Sequence, residues 1–201
     1  MWEIMSKTKI LSSPNKMVWA YFSSLRRMCN QVEGHSSDEH KKEDAALCVI
    51  TAVTVVEIFL NVYFRILISE KLYKHAEEKI KNDLKIKVSL DRKLKEWPEL
   101  VFGKKIDFSS GAGQKFVGLK KLRNGLVHFS STWETIQLPG VNIQGLADTS
   151  AFDSLGEHSA TQALKTAEEF LAEVFRLRGI KEKDIPGALH SWTGLPPGLQ
   201  S

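Results

Sequence analysis

The segment Arg123-Asn124-Gly125-Leu126-Val127-His128 places a guanidinium five residues, and an amide four residues, before an imidazole. Histidine titrates near neutral pH and can take or give a proton. Arginine stays charged and donates to two oxygens at once, which suits a phosphate that gathers negative charge. Asparagine can orient the imidazole or bind phosphate. With 7 Arg and 6 His in 201 residues, an Arg five residues before a His is expected by chance roughly 0.2 times, and requiring Asn after the Arg lowers this to about 0.006. The Asn is therefore what lifts the spacing above background.

A helix must hold these side chains. Phe116, Leu119, Leu122 and Leu126 share one face between Lys115 and Phe129, which predicts a helix despite Gly118 and Gly125. On an ideal helix Asn124 and His128 nearly stack, whereas Arg123 lies about 140° away from His128. To share a site with His128, Arg123 needs its long side chain, a distortion near Gly125, or a second chain.

The rest of the chain reads as an all-α bundle of four to five antiparallel helices. Ser13 and Pro14 cap a first helix carrying Val18, Tyr21, Leu25, Met28 and Val32, and a polar connection, Gly34 to Lys42, follows. A long second helix starts near Glu43 or Asp44 and packs antiparallel to the first. Its uninterrupted apolar run ends at Glu57, too short to cross a bilayer, and Glu57, Asn61 and Arg65 mark one polar stripe. Lys71 to Val88 is Lys-rich and either continues that helix or forms a basic connector. Ser89 caps a short helix that ends near Trp97, before Pro98. Gly103 to Gln114 reads as loop, and its Ser109–Lys115 stretch lacks the glycine spacing of a phosphate loop. Ser131 to His158 reads as a long loop between the motif helix and the last helix. That last helix opens on Ser159 and Gln162 in capping-box spacing, runs through Ala160, Leu164, Ala167, Leu171 and Val174, and stops at Gly179. Residues 1–12 form an extension, 13–180 the bundle domain, and 181–201 a Pro/Gly-rich tail, extended or disordered from Ile185.

Composition bounds the function. A net charge of +4 does not by itself demand nucleic acid, but Lys71 to Thr132 holds 15 basic and 7 acidic side chains, so one stretch is markedly basic. Cys29 and Cys48 sit in apolar helical patterns as small core residues, which fits a reducing cytoplasm, and no Cys/His spacing suggests zinc. The N-terminus carries no secretory signal pattern. Trp2, Trp19, Trp97, Trp133 and Trp192 are expected to serve packing.

Arg-Asn-x-x-x-His on a late helix of an all-helical domain resembles the R-x4-6-H motif of the HEPN superfamily. The long apolar helix carrying Glu57 and Asn61 is similar to the segment that precedes the motif in that family, and the resemblance spans about Pro14 to Gly179. One departure is Phe129, where many members have Gly after the His. The resemblance implies a homodimer with two motifs facing one cleft and, in catalytic members, RNA cleavage without a metal or organic cofactor. Arg123, Asn124 and His128 would then be catalytic, Glu57 and Asn61 supporting, and Lys120 and Lys121 RNA-binding. It further implies a cytoplasmic toxin or phage-defence role with a neutralising partner. Such cleavage needs a proton removed from a 2′-hydroxyl, a proton given to the departing 5′-oxygen, and a stabilised phosphorane, and a dimer would supply an acid, a base and two Arg.

The same residues admit a second reading. Phe129 and the long neighbouring loop also suit a catalytically silent helical module that binds nucleotide or RNA, or dimerises and scaffolds a partner.

Overall fold

Periodicity of apolar residues builds most of what is seen. In the computed structural model, residues 15–128, 131–147 and 149–194 are described, with the backbone alone in the two strands. The proposed cap at Ser13 and Pro14, residues 1–12, Phe129, the tail from 195, and the side chains of Trp2 and Trp133 lie outside that description. The body is all-α. Its long helices are α1 (Lys16–Gly34), α2 (Asp38–Leu67), α4 (Leu90–Phe102), α5 (Gly111–Val127) and α7 (Glu157–Arg178), joined by the shorter α3 (Glu77–Lys85), α6 (Ser150–Asp153) and α8 (Ile185–Thr193).

The chain divides into two compact units, and α1, α2 and α7 contribute residues to both. One unit holds residues 24–56 and 107–173. There Cys29 meets Cys48 and His35 meets Asp44, so α1 and α2 run antiparallel as expected. Lys115 pairs with Glu169 at 2.8 Å, and Phe116 stacks on Phe170 with ring centroids 4.3 Å apart, which fixes α5 on α7. Arg26 holds Glu168 at 2.7 Å and ties α1 to α7.

The other unit holds residues through Ser23, Glu57–Ile106 and from Val174 onward. Its centre is aromatic. Phe59, Tyr63, Phe175 and Trp192 pack ring against ring, and Phe64 packs against Trp97 and Phe102. Asp83, fully buried, accepts hydrogen bonds from Lys79 Nζ at 2.5 Å and Trp97 Nε1 at 3.0 Å. Burial alone pushes the Asp83 carboxyl up, but those two donors outweigh it and hold it below the usual carboxylate value.

Several expectations are corrected. The buried line of α1 is Val18, Phe22, Leu25, Cys29 and Val32; Tyr21 is exposed and Met28 half-buried, because the stripe advances by fours and threes from Val18 through Phe22. Helix α2 starts at Asp38, where the Ser37 hydroxyl and carbonyl accept from His40 and Lys41 and two acids fill the first turn. By length and composition α2 is long enough to cross a bilayer, contrary to the shorter apolar run, and half of its most apolar stretch is buried in the fold. The Lys-rich segment neither continues α2 nor forms a bare connector: Lys71–Ala76 is a 3-10 turn, and α3 is a separate helix that buries Ile80 and Asp83.

Ser89 caps α4 as expected, its hydroxyl accepting from the Arg92 N–H, but α4 runs through Pro98 to Phe102. The Pro removes one backbone donor from the helix. Burial of Trp97, Pro98 and Val101 on one face offsets that loss. Helix α5 starts at Gly111, four residues early. Before it, Asp107 accepts from the Ser109 N–H at 2.8 Å and from the Ser109 and Ser110 hydroxyls at 2.6 Å each. These hydrogen bonds, from Ser109 first, hold the Asp107 carboxyl down at about 2. Since the folded value lies below the ordinary 3.8, the turn's stabilisation is complete above that value and is lost as pH falls through about 2. The Ser109 amide resonance is therefore expected to titrate with a midpoint of about 2; a midpoint near 3.8 would show that the turn is not formed.

The expected long loop contains an antiparallel hairpin, β1 (Ser131–Leu138) and β2 (Val141–Ala147), then α6. Leu138 pairs with Val141 and Ile136 with Ile143, with an irregularity between Thr132 and Thr135. Pro139 and Gly140 make the reversal, and Gly140 takes the positive φ, +83°, that the second turn position requires. Ile136 and Leu138 before the turn, and Val141 and Ile143 after it, alternate with polar residues at period two, a pattern without helical periodicity. Helix α7 opens at Glu157, so Ser159 and Gln162 are inside it and form no capping box; Gln162 donates to the Thr166 hydroxyl instead. Ala163 rather than Leu164 lies on its buried face, and Gly179 ends it as expected. Residues 185–193 form α8, not an extended tail, with Ile185 and Leu189 buried and Trp192 against Phe59 and Tyr63. Trp97 is fully buried, whereas Trp19 is 44% exposed and donates to the His190 carbonyl.

Candidate active site

Phe116 and Leu119 are the buried anchors of α5. Arg123 stands seven and four residues beyond them, which on a regular helix sets it within about 20° of Phe116 and 40° of Leu119. The core-facing stripe of α5 thus ends in an arginine. Its aliphatic stem can cover apolar surface while the charged head reaches the edge. Arg123 is half-buried, its Nη1 donates to Asn124 Oδ1 at 3.1 Å, and its Nε is buried with no hydrogen-bond partner.

Asn124 and His128 are exposed on the outer side of the helix end. The His128 N–H donates to the Asn124 carbonyl at 2.8 Å, the last turn of α5, and His128 then leaves helical geometry with φ −114° and ψ 85°. The chain therefore changes direction at His128 itself, not at Gly125. A Cβ on Gly125 would stand 3.4 Å from Ala151 Cβ of α6, an ordinary contact, so α6 packs close to the end of α5 without requiring glycine there. Because Asn124 turns its oxygen to Arg123, its NH2 group is left to donate outward.

Lys121 is exposed and Lys120 half-buried. Lys121, Asn124 and His128 follow one another at three and four residues on the outer face. Much of the basic stretch from Lys71 to Lys105 is neutralised in place. Lys74 and Lys81 pair with Glu77, Lys79 and Arg92 with Glu96, and Lys105 with Glu99.

Glu57 and Asn61 belong to the other unit. Glu57 Oε1 accepts from Lys93 Nζ at 2.6 Å, and since Lys93 is only 4% exposed, that carboxylate is what makes its burial tolerable. Asn61 Oδ1 is buried without a hydrogen-bond partner. Along the polar stripe of α2, Glu57 turns to Lys93 and Arg65 is exposed.

A cavity of about 310 Å³ lies between α5 and the start of α7, lined by Lys115, Leu119, Leu122, His158, Gln162 and Thr166 among others. Sequence reading misses it because His158 falls in the expected loop; once α7 starts at Glu157, His158 and Gln162 share a face at a spacing of four. Among the described residues, no three His, Cys, Asp or Glu side chains gather to hold a metal ion. No family model, curated protein or solved structure matches this chain.

Proposed function

We propose that the chain is a HEPN-type endoribonuclease that cuts RNA without a metal or organic cofactor. The observation that carries this reading is the end of α5, where a half-buried Arg123 keeps a buried Nε–H unused while its Nη1 bonds Asn124, which is exposed on the outer face with His128 one turn further on. A buried donor of a charged group without an acceptor is costly, and such groups concentrate where a ligand completes them. A phosphate oxygen is the acceptor that a guanidinium best accommodates.

In this reading His128 takes the proton from the 2′-hydroxyl, and that oxygen attacks the adjacent phosphorus. Arg123 holds the phosphorane oxygens, with Asn124 steering its guanidinium through the 3.1 Å bond. The departing 5′-oxygen leaves protonated, and the products are a 2′,3′-cyclic phosphate and a free 5′-hydroxyl. One imidazole cannot be acid and base in one protonation state, so His128 of the partner subunit supplies the second function in a homodimer. Lys121 adds a phosphate contact on the same face, with Lys120 beside it. A cytoplasmic toxin or defence role with a neutralising partner follows from the HEPN resemblance, not from the geometry.

The test is digestion of a labelled mixed-sequence RNA in EDTA beside the same sequence as DNA. Cuts in RNA alone, with cyclic phosphate ends, are expected. Intact RNA, from protein shown to be dimeric, would move the reading to a silent module that binds RNA or a partner. A monodisperse monomer at micromolar concentration would remove the composite site. For the contact role, Lys121→Ala is expected to make the salt dependence of RNA binding shallower by about 0.7 to 1 in log–log slope; an unchanged slope would take Lys121 out of the interface.

A further inference from the structure

The chain holds two cysteines, and the fold brings both to one contact although they are 19 residues apart. Cys29 on α1 and Cys48 on α2 are free thiols, 4% and 0% exposed, with sulfurs 3.6 Å apart. Packing explains their burial but not their pairing, since any small apolar residue would fill either position. A disulfide needs the sulfurs to close to about 2 Å. A shift of roughly 1.5 Å is within reach of side-chain rotation and a small approach of two adjacent helices.

We propose that Cys29 and Cys48 are a redox modification site, oxidised by a small peroxide to a reversible disulfide that staples α1 to α2. The Cys29 sulfur attacks one oxygen of hydrogen peroxide and the O–O bond breaks. Cys29 becomes a sulfenic acid, and the released hydroxide takes up the thiol proton as water. The Cys48 sulfur then attacks the sulfenic sulfur, the S–S bond forms, the S–O bond breaks, and the second water carries off the Cys48 proton. Two thiols give up two electrons and two protons, and one peroxide becomes two waters.

The surroundings support this order of attack. The hydrogen bond with Cys48 holds the Cys29 thiol below its ordinary value, the same bond, with burial, pushes Cys48 up, and Cys29 is the less completely buried of the two, which together favour Cys29 as the attacking thiol and Cys48 as the resolving one. Cys29 is five residues from the end of α1 at Gly34, and a connection of three residues leads into α2. Peroxide reaches the pair through a local opening at this end of α1, which does not require global unfolding. The effect reaches α7 as well. Cys29 Sγ donates to the Ala160 carbonyl at 3.4 Å, and oxidation removes that donor from the first turn of α7.

The experiment treats the full-length protein with hydrogen peroxide, traps remaining thiols with a maleimide under denaturing conditions, and digests with trypsin. Expected is a linked pair of peptides, Met28–Lys41 and Glu43–Arg65, lighter by two hydrogens, about 2 Da, than their sum. Dithiothreitol should restore two maleimide additions, and Cys48→Ser should abolish the linked pair. Two full maleimide additions after peroxide, stable sulfenic or sulfinic acid on either cysteine, or a disulfide between two chains would each overturn the proposal. The wild-type result stands by itself if the Ser variant does not fold.

Discussion

RNA cleavage by the His128→Ala variant is expected to be slower by a factor of about 10² to 10⁴, the usual worth of a positioned general acid or base, with RNA affinity little changed. His128 is exposed and ends its helix, so its removal takes no buried surface from the core. That makes the variant a clean probe of chemistry. Arg123→Ala is expected to cost about 10² to 10³ in rate, as loss of a transition-state donor does. Lys at that position should not restore the rate, because a single ammonium cannot replace a planar fork. Arg123 also closes the core stripe of α5, so a thermal melt must accompany it. Undiminished cutting by His128→Ala would take His128 out of the chemistry and end the HEPN-type mechanism.

Unfolding of the Trp97→Ala variant is expected to require about 3–5 kcal/mol less free energy than the wild type. Trp97 is fully buried, packs on Phe64 with centroids 5.6 Å apart, and donates to Asp83. Its loss opens a cavity and removes one of the two donors that hold a buried carboxylate ionised. Trp97→Phe keeps most of the packing but not the N–H, and so isolates the hydrogen bond at about 1–3 kcal/mol. Chemical denaturation of the three proteins reads both values. An Ala variant within about 1 kcal/mol of wild type would mean that Trp97 is not in this core.

Helix type and most helix existence are legible in the amino-acid order, because periodicity and caps act over a few residues. Ser89 before α4, Gly179 after α7, and the Phe116–Leu119 stripe of α5 are of that kind. The candidate motif is equally local, since Arg123, Asn124 and His128 lie within one and a half turns. What local signals get wrong are the places where distant contacts outweigh them. Pro98 reads as a stop, yet α4 continues because Trp97 and Val101 have a core to enter. Residues 185–193 read as a tail, yet Trp192 finds Phe59 and Tyr63, more than 120 residues away in sequence. Glu57 reads as a companion of Asn61, yet a buried Lys93, 36 residues on, takes its carboxylate. The place of Arg123 on the inner side of α5, and the meeting of Cys29 with Cys48, likewise depend on which face each helix turns inward. Burial sets that face, and burial depends on neighbours that come from other parts of the chain.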